Sequence, residues 1–304
     1  MLPFSVTVLG NGSAVPTSFQ NPTSQLLNYN GKRFLIDCGE GTQMQMIKYN
    51  TGHKHIDHIF ISHLHGDHYY GLIGLINTFH LFGRKNPLFI YAPKALKKII
   101  NIQLEAANTT LRFPLEYIFT DKTSGIIYED KNLTVEHFPL KHRIPTFGFV
   151  FREKEKERKI KKDFVHVFSP SVEQIRKIKE GEDFITEDGK VLLNKEITEA
   201  AASPRAYAFC SDTAYTEEIL PYVKGVDLLY HEATFTADQQ DMADEKFHAT
   251  SVDAARIALK AGVKKLLLGH YSARLRDRSG LLQEAKEIFP ESVLSEEGEE
   301  YLIG

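Results

Sequence analysis

Cysteine is nearly absent: Cys38 and Cys210 are the only two in 304 residues, each closing an apolar run, with no C-x-x-C spacing. That excludes a disulfide frame and points to buried thiols in a reducing compartment. Long hydrophobic runs are missing as well. None approaches the roughly 20 residues a membrane span needs, and no basic, apolar leader ending in small residues opens the chain. A soluble, cytoplasmic protein with no membrane partner is expected. An excess of one charge is also lacking. Lys plus Arg number 37 against 40 Asp plus Glu, a net charge of −3, so global charge advertises no nucleic acid and a local basic patch would have to supply one. What is present is a 42% hydrophobic content, enough for a sizeable core in one large domain or two halves.

Short β-rich runs recur, most stopping at Gly, Asp or Ser: "FSVTVLGNGS", "RFLIDCGEG", "IDHIFISHLHGDH", "RAYAFCSDTA", "VDLLYHEAT" and "KKLLLGHYS". Helical patterns lie between them. Residues 93–108 put Leu96, Ile99, Ile100 and Leu104 on one face. Residues 250–262 open with a Thr-x-x-Asp cap and close on Gly262, and 280–290 stop at Pro290. Strands alternating with helices indicate an α/β protein. One such series ends near 108 and another begins near 206, which suggests two similar halves.

The region between them is the least regular. "FREKEKERKIKKDF" (151–164) is dense in charge. It reads either as a solvated hairpin or helical loop, or as a protruding arm gripping a polyanion through Lys154, Lys156, Arg158, Lys159, Lys161 and Lys162. Interleaved Glu153, Glu155 and Glu157 weaken a simple phosphate stripe.

"ISHLHGDHYYGL" places His63, His65, Asp67 and His68 within six positions after an apolar run. Strand ends gather on one rim of a layered sheet, so Asp37, this cluster, Asp212, His231–Glu232 and His270 can converge, and His142 follows another apolar stretch. Alternate residues of an extended segment point the same way, so His63 and His65 can share one ion while Asp67 and His68 serve a second. His142, Asp212 and His270 supply the missing ligands, a carboxylate such as Asp212 bridging both ions in a two-metal site. A lone histidine at a strand end is more often structural, the reading taken for His53, His55, His58, His80, His137 and His166. Spacing does not separate zinc from manganese or iron.

"SHLHGDHYYGLIGL", with "FLIDCGEGTQMQ" before it and "CSDT", "HEATF" and "LGHYSAR" after it, resembles ribonuclease Z, the tRNA 3′-end endonuclease family of the metallo-β-lactamase superfamily. The match covers nearly the whole chain. It implies a four-layered αββα metallo-β-lactamase sandwich, one domain over 1–304 with an inserted, charged exosite arm at 152–195. It also implies two Zn2+ ions, one on His63, His65 and His142, the other on Asp67, His68 and His270, with Asp212 bridging.

By the same resemblance Asp67 orients or deprotonates water, His248 of "FHATS" donates a proton, Glu232 orients His248, and Asp37 accepts a hydrogen bond from a ligand histidine. The implied reaction removes the 3′ trailer of precursor tRNA after the discriminator nucleotide, leaving a 3′ hydroxyl and a 5′ phosphate, in a homodimer. An alternative keeps the di-zinc site for a small phosphodiester or another ester. Two departures stand out. The family's P-x-K-x-R-N loop reads "PTSFQN", with Ser18 and Gln20 at the basic positions, and Ser169-Pro170 replaces the arm's Gly-Pro.

Overall fold

The computed structural model describes residues 2–53, 55–120 and 123–304. Two seven-stranded sheets carry the architecture. In the first, Glu300–Leu302 pairs with Phe4–Gly10, followed in space by Ser24–Tyr29, Lys32–Ile36, Ile56–Phe60, Leu88–Ala92 and Leu115–Phe119. In the second the order is Ser292–Leu294, Lys265–Gly269, Leu228–Glu232, Ala206–Cys210, Thr146–Glu153, Leu133–Leu140 and Gly125–Glu129. The last four strands of the first sheet run parallel, as do the first four of the second.

The two-residue period of each strand sorts side chains by size. Leu35, Ile59, Leu88, Ile90 and Ala92 face outward onto the helices Leu72–Leu81 and Ala95–Ala106. Val150, Ala206, Ala208, Leu229, Leu266 and Leu268 pack in the same cluster as Ala254, Ala255 and Ala258 of helix Ser251–Ala261 and Leu281 of Ser279–Ile288. The opposite faces are aromatic. Phe60 meets Phe149 and Phe151, each at 5.3 Å, and Phe34 meets Phe151 at 5.7 Å, so rings join the sheets. Aromatic pairs at these separations add to the stabilisation from burying them. The helices forecast at 93–108, 250–262 and 280–290 form Ala95–Ala106, Ser251–Ala261 and Ser279–Ile288, the second with its Thr250–Asp253 capping box.

The division at 108 and 206 does not hold. Strands between 125 and 153 build the second sheet, and the chain returns at 300–302 to pair with its own start, Ser5 opposite Leu302.

By compactness the chain separates into Met1–Tyr128, Val135–Phe151 and Ala206–Gly304 on one side and Glu129–Thr134 with Arg152–Arg205 on the other. The smaller unit has its own core of Phe164, Ile178, Phe184 and Ile197. The region read as irregular contains two helices, Lys162–Phe168 and Val172–Glu180. The second opens with a capping box in which Ser171 and Gln174 satisfy each other's backbone N–H, a Ser-x-x-Gln signal present in the sequence. Ser169, where the first helix stops, lies in the left-handed region with φ 43°.

Candidate metal centre

Every candidate except His142 and His248 sits on or just beyond the carboxyl end of a parallel strand, where open α/β sheets gather their ligands. Asp37 follows Lys32–Ile36, His63–His68 follow Ile56–Phe60, Asp212 follows Ala206–Cys210, Glu232 ends Leu228–Glu232, and His270 follows Lys265–Gly269. Asp37 and His270 take left-handed backbone, φ 54° and 57°, a local cost typical of positions held by function. The backbone after Asp37 packs tightly against the histidine segment. Cys38 N donates to His68 O at 2.8 Å, and a Cβ on Gly39 would lie 2.4 Å from the Asp67 carbonyl oxygen.

Two groups of donor atoms result. His63 Nε2 and His142 Nε2 lie 3.1 and 3.2 Å from His65 Nδ1, with Asp212 Oδ2 3.5 Å from His63 and 3.8 Å from His142. On the other side, His68 Nε2 and His270 Nε2 lie 3.4 and 3.5 Å from Asp67 Oδ2. Asp212 Oδ1 stands 3.3 Å from His68 Nε2 and 3.2 Å from His270 Nε2. One carboxylate therefore turns an oxygen to each group, and within each group the ligand atoms all lie within 4.8 Å of one another.

The donors fit metal. His68 Nε2 and His270 Nε2 are buried without a hydrogen-bond partner, a costly state for ring nitrogens unless a cation takes their lone pairs. Burial and neighbouring imidazoles hold His63 well below its ordinary pKa, and burial lowers His65 and His142, so these rings are neutral and able to offer lone pairs to a metal. Burial would also depress His68, but Asp212, Asp67 and Asp37 together raise it well above the ordinary value. Three carboxylates around one imidazole make a pocket that stabilises positive charge.

The far nitrogens are fixed as metal ligands usually are. His68 Nδ1 donates to Asp37 Oδ2 at 2.7 Å, while Ser62 N and Oγ donate to the same carboxylate. His142 Nδ1 donates to Phe247 O at 2.8 Å. His270 Nδ1 lies 3.0 Å from Thr234 Oγ1, which donates to Glu232 Oε2 at 2.6 Å. The other oxygen of buried Glu232 accepts from His248 Nδ1 at 2.8 Å and from Thr213 N. Burial would lower His248, but Glu232 raises it to about 9. Asp67 Oδ2 accepts from the Ala14 backbone N–H at 2.7 Å, and Asp67 opens onto a cleft of about 420 Å³ together with His65, Asp212, His248 and His270.

His231 does not join them. It points away from Glu232's side chain and donates to the Glu232 carbonyl. Both cysteines are buried at 0% exposure, and the Cys38 thiol is pushed up to about 12 by burial, which makes it inert rather than ligating. The histidines read as structural behave so where their contacts are seen. His58 packs among Phe34, Phe89 and Tyr128, His53 stacks on Phe82, and His137 donates to Gly125 O.

Residues 4–196 match the family model described as anti-Pycsar protein Apyc1, which places this stretch in that family. A ribonuclease Z of Bacteroides fragilis is 45% identical over 295 residues, 97% of this chain and 97% of that protein. The chain belongs to the ribonuclease Z family. Among solved structures, human tRNase Z, short form, superposes with a TM-score of 0.73 at 28% identity, covering 99% of each chain. The metallo-β-lactamase fold protein YhfI from Bacillus subtilis reaches 0.70 at 20% identity, over 99% of this chain and 100% of that one.

The fold is thus the metallo-β-lactamase fold, and the ribonuclease Z family makes the chain a metal-dependent endoribonuclease. Among the described residues no helix is long and apolar enough to cross a membrane. Three contacts at the ribonuclease Z centre escaped the sequence: the Ala14 amide on Asp67, Ser62 beneath the histidines, and Thr234 between His270 and Glu232. The Thr of "HEATF" was the one visible signal.

Proposed function

We propose that this protein removes the 3′ trailer of precursor tRNA, cutting after the discriminator nucleotide. The observation that carries the reading is the 45% identity to a ribonuclease Z over 97% of both chains. His63, His65 and His142 would hold one zinc ion, Asp67, His68 and His270 the other, and Asp212 both. Bound there, the two ions supply Lewis-acid chemistry, neutralising charge at the phosphate and activating water near neutral pH.

The chain's own groups do the rest. Asp67, kept ionised by His68 and His270 against the pull of burial, orients the attacking water and is the acceptor for its proton. As water oxygen bonds to phosphorus, the bond to the 3′ oxygen breaks and that oxygen takes a proton from His248, which Glu232 holds protonated and oriented. The products are a 3′ hydroxyl and a 5′ phosphate.

The unit formed by 129–134 and 152–205 serves as the tRNA grip. A cleft of about 700 Å³ within it is lined by Lys131, Lys154, Lys156, Arg158, Lys159 and Lys179. Lys154, Lys156 and Lys179 are already paired with Glu129, Glu153 and Glu157, so Lys131, Arg158 and Lys159 offer the readier charge. A homodimer in the cytoplasm completes the reading. Helices Thr42–Lys48 and Leu72–Leu81, joined by Thr78 to Gln43, leave Met44, Ile47 and Leu81 exposed as an apolar surface suited to a second copy.

The test is cleavage of a 5′-labelled precursor tRNA by metal-replete protein, mapped at nucleotide resolution with Asp67→Ala beside it. One cut at the discriminator, absent in the variant, supports the reading. No cut, with turnover of a simple phosphodiester, moves the function to a small substrate.

A further inference from the structure

Between the metal centre and its neighbouring cleft lies the stretch Ser13–Gln20, "SAVPTSFQ", which carries no charged residue. It borders both spaces. Ser13, Ala14 and Val15 line the metal cleft and also a second cleft of about 390 Å³ with Lys246, His248 and Arg274. A polyanion in either cleft would meet this uncharged loop, in a protein whose net charge is −3.

Cations reach the loop from another part of the chain. The segment after His270 reads "YSARLRDRSG", with Arg274, Arg276 and Arg278 on alternate positions. Arg276 lies over the Phe19 ring, 5.7 Å from its centroid, and Phe19 is 44% exposed. Arg278 stacks on the Tyr271 ring at 4.3 Å, and its Nη2 donates to Gln20 Oε1 at 3.1 Å. Buried Gln20 in turn donates from Nε2 to Tyr271 O at 2.9 Å, and Ser13 N donates to the same carbonyl at 3.0 Å. Arg278 and Gln20 thus lock the loop to the residue next to ligand His270.

An arginine at position 20 would set two guanidiniums against each other, so the amide there and the cation at 278 belong together. Among the described residues no carboxylate pairs with Arg276, unlike Lys154, Lys156 and Lys179 of the arm. A solvent-facing guanidinium held over a ring keeps its fork for a phosphate.

We propose that Arg276 binds an RNA backbone phosphate beside the scissile bond, supplying from the 274–278 segment the charge that the loop Ser13–Gln20 lacks, with Arg278 as a positioning residue that holds the loop through Gln20. This rests on the RNA substrate proposed above.

Steady-state cleavage of precursor tRNA across a salt series tests it. Arg276→Gln should raise KM about fivefold with little change in kcat, and flatten the dependence of log KM on log salt by about one. Adding charge on the loop itself, Ser18→Lys in the Arg276→Gln background, should restore both, since Ser18 is exposed near Phe19. An unchanged KM in Arg276→Gln overturns the inference. So does a raised KM with an unaltered salt slope and no rescue by Ser18→Lys, which would mark a structural effect. Wild-type protein that never cuts precursor tRNA overturns the parent reading, and this one with it.

Discussion

Arg205 encloses the carboxylate of Glu153: its Nε donates to Oε2 and its Nη2 to Oε1, each at 3.0 Å, and its backbone N–H donates to Oε2 at 3.0 Å. Glu153 N returns a bond to Arg205 O at 2.9 Å. Residues 52 positions apart are thereby tied at the two ends of the charged segment.

Burial raises the Glu153 pKa, but the bonds from Arg205 and Lys156 outweigh it and bring it from 4.5 to about 2. A depressed carboxyl contributes stability above its unfolded value and loses it as pH falls through the folded one. The pair should therefore contribute about 2–3 kcal/mol at neutral pH, lost between pH 4.5 and about 2. Hydrogen exchange of amides in 152–205 should rise over that window in the wild type, and Glu153→Gln should show the raised exchange at neutral pH already.

His248 keeps its proton up to about pH 9 because Glu232 faces it. His248→Ala should lower kcat by about 10²–10⁴ with metal content unchanged. Glu232→Gln removes the carboxylate that raises the pKa, so the alkaline limb of the kcat profile should move to lower pH. A limb that stays put would assign it to another group.

Among the described residues Asp212 alone turns an oxygen to each group of candidate ligands. If two ions bind as proposed, Asp212→Ala should weaken both, whereas His142→Ala should weaken one and leave about one ion per chain. Metal content after gel filtration distinguishes them. Chelation of the wild type should lower its Tm, because bound metal would add a link between ligand residues that follow strands of both sheets.

Ser169 ends its helix at φ 43°, a conformation that strains any residue with a Cβ. Ser169→Gly should relieve that strain against a loss of unfolded-state entropy, for a net gain of up to about 1 kcal/mol in the unit containing 152–205. Protease susceptibility of that unit is the readout.

Six of the seven ligand candidates could be picked out because each follows an apolar run that stops at an ionisable residue, and parallel strands bring such stops to one rim, while His142 follows an apolar strand outside the parallel set. His231 shows the limit of the pattern. It neighbours Glu232 in the same run, yet strand alternation turns it to the other face. Contacts between distant segments left no local trace: Ala14 with Asp67 are 53 residues apart, and Gln20 with Arg278 are 258 apart. The strands Gly125–Glu129 and Leu133–Leu140 were missed because they are partly exposed and mix charge with apolar residues, whereas the fully buried strand Ala206–Cys210 reads at once.

The donor set of five imidazoles and two carboxylates carries a further consequence. Under the proposed two-ion reading, neutral rings would bring no charge, and a pair of dications would exceed Asp67 and Asp212 by two positive charges. Loaded in that way, the centre would be a small anion trap inside an acidic protein. A diester would bring it one negative charge, while the trailer freed by the proposed cut would carry a terminal phosphate with up to two. The centre should therefore hold its product more firmly than its substrate, and turnover should be set by trailer release, with orthophosphate a competitive inhibitor.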